Sequence, residues 1–398
     1  MKRLFSVLFF LALLPSLLAF AYDWGLSFNQ NASVEGVKDE DSLFTYTGTL
    51  SPWLSASLGA NARFYFSASG TIKYSDKNTI FIPELLRTEL ALLTGAGGEL
   101  KVGRILYADP LGFIAAGLFD GARFSFGSSF GGIGAGIFYT GLLYKKGANI
   151  IMTADDLASS YAELDYANFA DTYFAPRRLI AALDWENPYL KEWLRLKVSL
   201  IGQFDLTGAD ELCHSQYLAF KGVIPVQSFV VDIGACMELA EISKEFNVSL
   251  AGELGIGWML PTPLIDMLKL TWRFSTGDGS FTPFIPITTV TQGGVLQAKL
   301  SGISMICVDY TARLHETFSI ILSSSYFILS DKNTYQGLPE GRDGRLLGNE
   351  FFGRLIWSPF SDLQLNFGGG VFLPSMGNTG STRGPLWRVE LNALLAIF

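Results

Sequence analysis

The sequence predicts an all-β fold, a transmembrane antiparallel up-and-down β-barrel of about 18 strands, with 16 as the fallback count. Three observations predict it. Apolar and polar residues alternate with period two over long segments, the strand period, because successive side chains point to opposite faces of a sheet. The 398-residue chain is 49% hydrophobic, 14% aromatic and only 17% charged, with a mean hydropathy of +0.30, whereas average globular domains carry about 25% charged residues. Past the N-terminus, no segment offers the roughly 20 uninterrupted apolar residues that a membrane-spanning helix needs.

The chain opens on "MKRLFSVLFFLALLPSLLAFA". Lys2 and Arg3 form a positive n-region, Leu4 to Leu18 an apolar core, and Ala19-Phe20-Ala21 a small-residue cleavage site. Residues 1–21 read as a secretory signal peptide, which leaves 22–398 as the barrel. No Cys follows the cleavage site, so no lipid anchor is predicted.

In "LRLKVSLIGQFDLTG" (194–208), Leu194, Leu196, Val198, Leu200, Phe204 and Leu206 share one face. Arg195, Lys197, Ser199, Gln203 and Asp205 share the other, with Ile201 the exception. The pattern recurs. Phe229, Val231, Ile233, Met237 and Leu239 oppose Asp232 and Glu238. Phe246, Val248, Leu250, Leu254, Ile256 and Trp258 oppose Asn247, Ser249 and Glu253. Leu268, Leu270, Trp272 and Phe274 oppose Lys269 and Arg273, and Leu363, Leu365 and Phe367 oppose Gln364 and Asn366. Such segments run roughly 10 to 14 residues, longer than the 5 or 6 of a soluble strand and enough to cross a bilayer at a tilt. The apolar rows are therefore assigned to lipid and the charged rows to a wet lumen. A one-residue slip would swing each basic side chain into hydrocarbon at a cost of about 2–4 kcal/mol.

Short turn-rich connectors ("TGAGG", "GSSFGG", "PVQS", "LPTP", "SPFSD") alternate with longer polar ones at 33–42, 75–83, 106–118, 145–176, 207–215, 276–294, 331–347 and 376–384. The connector at 241–245 breaks this rule by being short. An even strand number brings both ends to the periplasmic side. The chain closes on "PLWRVELNALLAIF", an alternating strand ending in Phe398. A terminal aromatic on a last strand resembles the signal read by the outer-membrane insertion machinery. Its parity departs from that signal at Asn392 and Glu390, which a local bulge would reconcile.

Two stretches resemble alginate-export-type outer-membrane porins. In "ELKVGRILYADPLGFIAAGLFDGARFSF" (99–126), a strand with Gly103-Arg104 leads through a loop to Asp120-Gly121 and Arg123-Phe124. In "LGNEFFGRLIWSPFSDLQLNFGGGVFLPS" (347–375), a strand turns at a Pro-containing corner and ends in Gly-Gly-Val-Phe-Leu-Pro. The resemblance implies an 18-stranded outer-membrane barrel that passes solutes, with Arg104 and Arg123 as lumen arginines. Arg104 shares parity with Leu100 and Val102, which places it at the rim or after a bulge. The family's anionic polysaccharide does not carry over, because the lumen read here is not strongly basic.

The pore-lining bases expected from parity are Arg87, Arg123, Arg178, Arg195, Lys197, Lys269, Arg273, Lys299, Arg354 and Arg388. The acids are Glu89, Asp184, Asp205, Asp232, Glu253, Glu350 and Glu390, joined by Glu186 and Glu238. The near balance suits either ion pairing along the wall or charge rings that select solutes. The longest connector carries Asp155, Asp156, Glu163, Asp165 and Asp171 among interleaved aromatics. Connectors beyond about 15 residues are usually functional or disordered. Its two readings are a constriction loop whose acids meet lumen bases, and a surface loop with a short helix near 155–165.

Enzyme chemistry is not expected. The two histidines, His214 and His315, show no zinc spacing and no nucleophile geometry. No cofactor or metal is predicted. The three cysteines, Cys213, Cys236 and Cys307, make no disulfide framework, although one bridge is compatible with the sequence. A pI near 5.0 argues against nucleic acid. The partners expected are outer-membrane lipid, the insertion machinery and small hydrophilic solutes, saccharides among them. The function expected is a passive diffusion channel in the outer membrane of a diderm bacterium. The alternatives are a hydrophobic-substrate transporter and an adhesin or structural barrel.

Overall fold

The computed structural model describes residues 21–76, 78–95, 97–188, 190, 193–209, 212–332, 344–380 and 384–397. Of residues 1–21, expected from the sequence to be a leader, only residue 21 falls among them, and the terminal Phe398 lies outside the described residues.

In chain order the strands are β1 (Tyr22–Val37), β2 (Leu43–Ser57), β3 (Ala62–Ser75), β4 (Asn78–Leu93), β5 (Gly98–Ala108), β6 (Ala116–Ser128), β7 (Gly131–Tyr139), β8 (Arg178–Asn187), β9 (Arg195–Asp205) and β10 (Cys213–Val226). They continue as β11 (Phe229–Ile242), β12 (Glu245–Met259), β13 (Ile265–Ser275), the two-residue β14 (Thr291–Gln292) and β15 (Ala298–Lys299), β16 (Ile303–His315), β17 (Phe318–Leu329), β18 (Leu346–Phe360), β19 (Leu363–Leu373) and β20 (Leu386–Ile397). Eighteen of them form one sheet, each antiparallel to its neighbours, and β20 pairs back onto β1 from Leu26↔Ile397 to Val37↔Leu386. The sheet closes into a barrel. β14 and β15 form a separate ribbon inside a connector.

The alternation maps onto this cylinder. On β9, Leu200 and Phe204 are exposed at 54% and 43%, while Ser199, Ile201 and Gln203 are fully buried on the opposite face. Outward aromatic pairs sit next to the short turns, with Phe229 stacked on Trp258 at 5.9 Å and Phe318 on Trp357 at 5.5 Å. Amphipathic rings suit the headgroup level there. The short 241–245 connector is a two-residue hairpin with Ser243 and Lys244 both at positive φ (50° and 72°), the geometry of a type I′ turn.

Three expectations change. The 75–83 stretch is not a long connector, because β3 and β4 pair up to Ser75↔Asn78 and its polar residues belong to a tall hairpin. β4 carries a bulge that the sequence did not signal: Leu86 is the extra residue between Ser67↔Arg87 and Ala68↔Leu85. The bulge expected near the C-terminus is absent among the described residues, since β20 stays in register with both neighbours through Leu395.

The lumen is not simply wet. Connectors 109–115, 140–177 and 276–302 fold into it, and the middle one carries the helices α1 (Lys145–Ala148), α2 (Ala154–Tyr161) and α3 (Phe169–Tyr173). Inward residues of β5 to β12, including Ile105, Tyr107, Phe119, Phe138, Ile180, Ile201 and Tyr217, pack with Phe113, Ile114, Phe284, Ile287 and Leu300 from these connectors. A second cluster joins β16 to β19 to the end of the 276–302 connector, and a third joins Ile82 to Tyr144, Leu164 and Tyr173. None of the three takes a buried residue from β20, β1, β2 or β3.

Candidate functional site: the lumen wall and its inward loops

Buried charges hold the inward connectors. Asp109 begins the first of them and accepts the backbone N–H groups of Leu111, Gly112, Ile114 and Ala115, all at 2.8–2.9 Å. Burial pushes its carboxyl above the ordinary range, and those four bonds pull it back only in part. Thr288 of the third connector donates its N–H to the Ile114 carbonyl of the first at 3.1 Å, and Asn149 of the middle one donates to the Thr289 carbonyl at 2.5 Å. The three segments are thus one hydrogen-bonded body.

Arg178 clasps the longest connector to the wall. Its guanidinium is fully buried, 2.7 Å from Asp156, and makes a closer ion pair with Asp205. Asp156 also closes the α2 capping box with Thr153, and it accepts the Met152 N–H at 2.9 Å. Glu350 holds the third connector, accepting the N–H groups of Gly294, Val295 and Leu296 at 2.6, 3.0 and 2.8 Å. Glu238 accepts from Ser249 and from the Ile285 N–H. Arg178, Asp205, Glu350 and Asp156 are therefore occupied as anchors.

Most of the other predicted bases and acids pair along the wall. Arg87 meets Glu89 at 2.6 Å, and Lys101 approaches Glu89 at 3.5 Å. Arg123 meets Asp184 at 2.9 Å, Lys197 meets Glu186 at 3.0 Å, and Lys269 meets Asp232 at 2.9 Å. Arg273 pairs closely with Glu253, which Lys221 also approaches at 3.6 Å. Arg354 meets Glu390 at 2.8 Å, and Arg388 bridges Glu390 (3.3 Å) and Glu35 (3.2 Å).

Four of these pairs join strands two apart over an inward glycine on the strand between: Arg123–Asp184 over Gly134, Lys221–Glu253 over Gly234, Lys269–Asp232 over Gly255 and Arg354–Glu390 over Gly368. A Cβ at Gly134 of β7 would lie 2.8 Å from Arg123, one at Gly255 of β12 3.2 Å from both Asp232 and Lys269, and one at Gly368 of β19 2.8 Å from Glu390. Glycines on the polar parity were visible in the sequence, but their role depends on which strands neighbour them.

Arg195 is exposed at the N-terminal end of β9. Lys299 lies on the β14–β15 ribbon and not on a wall strand. Asp155, Glu163, Asp165 and Asp171 are exposed on the connector and do not join Asp156. Arg104 is not a lumen arginine. It has the outward parity of Leu100 and Val102, yet it is 5% exposed and bidentate to Asp120 at 2.9 and 2.8 Å. The three cysteines are separately buried free thiols.

The sequence reading passed over the uncovered wall. Gln364, Asn366, Asn392 and Asn29 form a continuous amide row over β19, β20 and β1, at 3.0, 3.2 and 2.6 Å. On β2 and β3, Thr49 and Thr71 share a hydrogen bond at 2.9 Å, and Thr45 and Ser75 one at 3.4 Å. Neutral donors and acceptors thus line the wall that no buried cluster covers. A separate cavity of about 610 Å³ opens at the short-turn end of the barrel among Glu99, Arg123, Ser125, Asp184 and Glu186.

No protein-family model matches the chain. No curated protein matches it either. Solved structures do. *Pseudomonas aeruginosa* OccK5 (OpdH) aligns over 95% of this chain and 98% of its own, at 13% identity and a TM-score of 0.63. The outer membrane protein OprD of the same organism aligns over 94% and 93%, at 14% identity and a TM-score of 0.61. OccK2 (OpdF), crystallised with glucuronate, aligns over 94% and 96%, at 12% identity and a TM-score of 0.62. These are not alginate-export porins, so that resemblance keeps only its coarser content, an outer-membrane-porin-like barrel. At such identities the likeness is one of fold: the chain is similar, along nearly its whole length, to the barrels of OprD and the Occ proteins.

Proposed function

We propose that the chain is an outer-membrane channel for passive diffusion of small hydrophilic solutes, neutral saccharides among them. The observation that carries this is the uncovered wall of β19, β20, β1, β2 and β3, where amides and hydroxyls line the lumen beside the Arg354–Glu390–Arg388–Glu35 chain. Such a wall replaces hydration contacts of a polyhydroxyl solute without trapping it, as conduction requires. OccK2, a barrel of similar fold, was crystallised with a sugar acid, which supports the same solute class.

In this reading residues 1–21 are the exported leader and 22–398 the barrel. The final strand and Phe398 present the insertion signal, and lipid surrounds the outward leucines. Arg354, Arg388, Glu390, Arg87, Glu89, Arg123 and Asp184 face the solute path. Arg178, Asp205, Asp156 and Glu350 set the loops that narrow it. No catalytic step or cofactor is required.

Liposome swelling with neutral and charged solutes of graded size tests the reading. Uptake that falls with size is the expected result, neutral sugars entering at least as fast as organic anions. Equal exclusion of all solutes from correctly inserted protein would refute it.

A further inference from the structure

The wall is discontinuous between β4 and β5. β4 pairs with β3 along its whole length, but with β5 only from Thr88↔Arg104 to Leu93↔Glu99. Above that point, Asn78–Arg87 of β4 and Ile105–Ala108 of β5 have no mutual ladder among the described residues. The strands part at the Leu86 bulge on one side and at Gly103 on the other. Gly103 has φ +119°, and a Cβ there would lie 1.9 Å from the Thr88 carbonyl oxygen.

Side chains, not a neighbouring strand, satisfy the exposed edge of β4. The Tyr166 hydroxyl donates to the Phe81 carbonyl at 2.5 Å, the Tyr173 hydroxyl to the Pro83 carbonyl at 2.7 Å, and Arg104 to the Leu85 carbonyl at 2.5 Å. Pro83 has no N–H to leave unpaired, the usual reason for proline at a sheet edge. Burial pushes the Tyr173 phenol up to about 12, so it stays a donor at ordinary pH. The gap itself is filled by the connector. Arg104 donates to the Leu142 carbonyl at 3.0 Å, and Gly147 lies against the Glu84 carboxylate. Arg104 and Asp120, the two charged residues of the Gly-Arg and Asp-Gly stretches, therefore clasp the foot of the opening.

A cavity of about 330 Å³ occupies the seam. Its lining includes Leu85, Leu106 and Leu118 from the lipid-facing rows, and Glu84, Phe119 and Leu143 from the lumen side. Leu106 is 63% exposed at its outer mouth and Leu143 is buried in the loop core. The cavity thus reaches from the lipid-facing rows to the connector that fills the gap. Its volume is within the range of ligand pockets.

We propose that the β4–β5 seam is a lateral port that admits the alkyl chain of a single-chain amphiphile from the surrounding lipid leaflet, with residues 141–149 as its plug. The occupant follows from the lining: the outer mouth is continuous with the leucine rows that meet acyl chains, so an alkyl chain enters without leaving an apolar medium. The proposal rests on the wall geometry and not on the hydrophilic-solute reading.

Photolabelling tests it. The full barrel is reconstituted in phosphatidylethanolamine–phosphatidylglycerol vesicles doped with an alkylphosphocholine bearing a diazirine at its tail end, irradiated and mapped by mass spectrometry. Adducts on Phe119 and on the 143–148 segment are expected, and filling the cavity with Ala148→Trp should lower them at least five-fold. Ala116→Phe serves the same purpose should Ala148→Trp fail to insert. Labelling confined to outward residues such as Leu106 and Leu118 would overturn the proposal, as would inner adducts that survive both filling variants. Swelling rates on the same vesicles report the hydrophilic path separately, so failure of one reading is distinguishable from failure of the other.

Discussion

The two sides of this barrel solve different problems with the same strand period. From β5 to β12 the inward face is packed: Ile105, Tyr107, Ile180, Ile201 and Tyr217 meet loop residues in a dry cluster. From the first half of β19 (Gln364 and Asn366) through β20 and β1 to β3 the inward face is polar and uncovered, with its amides and hydroxyls bonded to one another. A polar parity therefore specifies "inside" but not "wet". The charges differ in the same way. On the packed side, Arg178 and Glu350 are spent on holding loops. On the uncovered side, Arg354 and Arg388 form half-exposed pairs.

The largest effect should come from the packed side. Arg178→Ala would leave Asp156 and Asp205 buried without their cation, a loss of about 3–5 kcal/mol. Heat-modifiability on gels should show the barrel unfolding at a markedly lower temperature, and single-channel records should become noisier as the 140–177 connector loosens. An unchanged transition would mean that the clasp does not hold the loop.

Next comes Glu350→Ala, which orphans the N–H groups of Gly294, Val295 and Leu296. Each buried donor left unpaired costs about 1–3 kcal/mol, reduced where water reaches it. Limited proteolysis should then cut within 290–300 at least ten-fold faster. A smaller change is expected for Gly255→Val. The new side chain would intrude between Asp232 and Lys269, costing about 1 kcal/mol as a half-exposed pair is pushed apart. A two-variant cycle with Lys269→Met measures it, and strict additivity would deny that the pair spans the glycine.

The smallest change in stability belongs to the uncovered side. Arg354→Ala removes a partly exposed pair worth about 0–1 kcal/mol. It also strips one positive charge from the solute path, so the reversal potential in a salt gradient should shift toward cation preference. No shift would place Arg354 outside that path.

Much of this was legible in the sequence. The two faces of each strand follow from parity, because a bilayer penalises each misplaced charge, and the count of about 18 strands, with 16 as fallback, comes from the alternation of short and long connectors. Ile201, the lone apolar residue on the polar side of "LRLKVSLIGQFDLTG", was the visible trace of the packed wall. It is fully buried beneath the inward connectors. What it packs against could not be read, since Phe284 and Ile287 lie some eighty positions away and no local period links them. Arg104's unexpected parity likewise marked the seam, but the Leu86 bulge that explains it lies on another strand. The amide row went unnoticed because neutral residues on a polar parity look unremarkable until the register aligns Asn366 with Asn392.

The central claim is that solutes travel along the uncovered wall. Single-channel current through Asn392→Cys and Gln203→Cys, each treated with a charged, water-soluble methanethiosulfonate, tests it most directly. Modification of Asn392→Cys should cut the current by a clear step, and Gln203→Cys, buried on the packed side, should not respond. The reverse pattern would contradict the account.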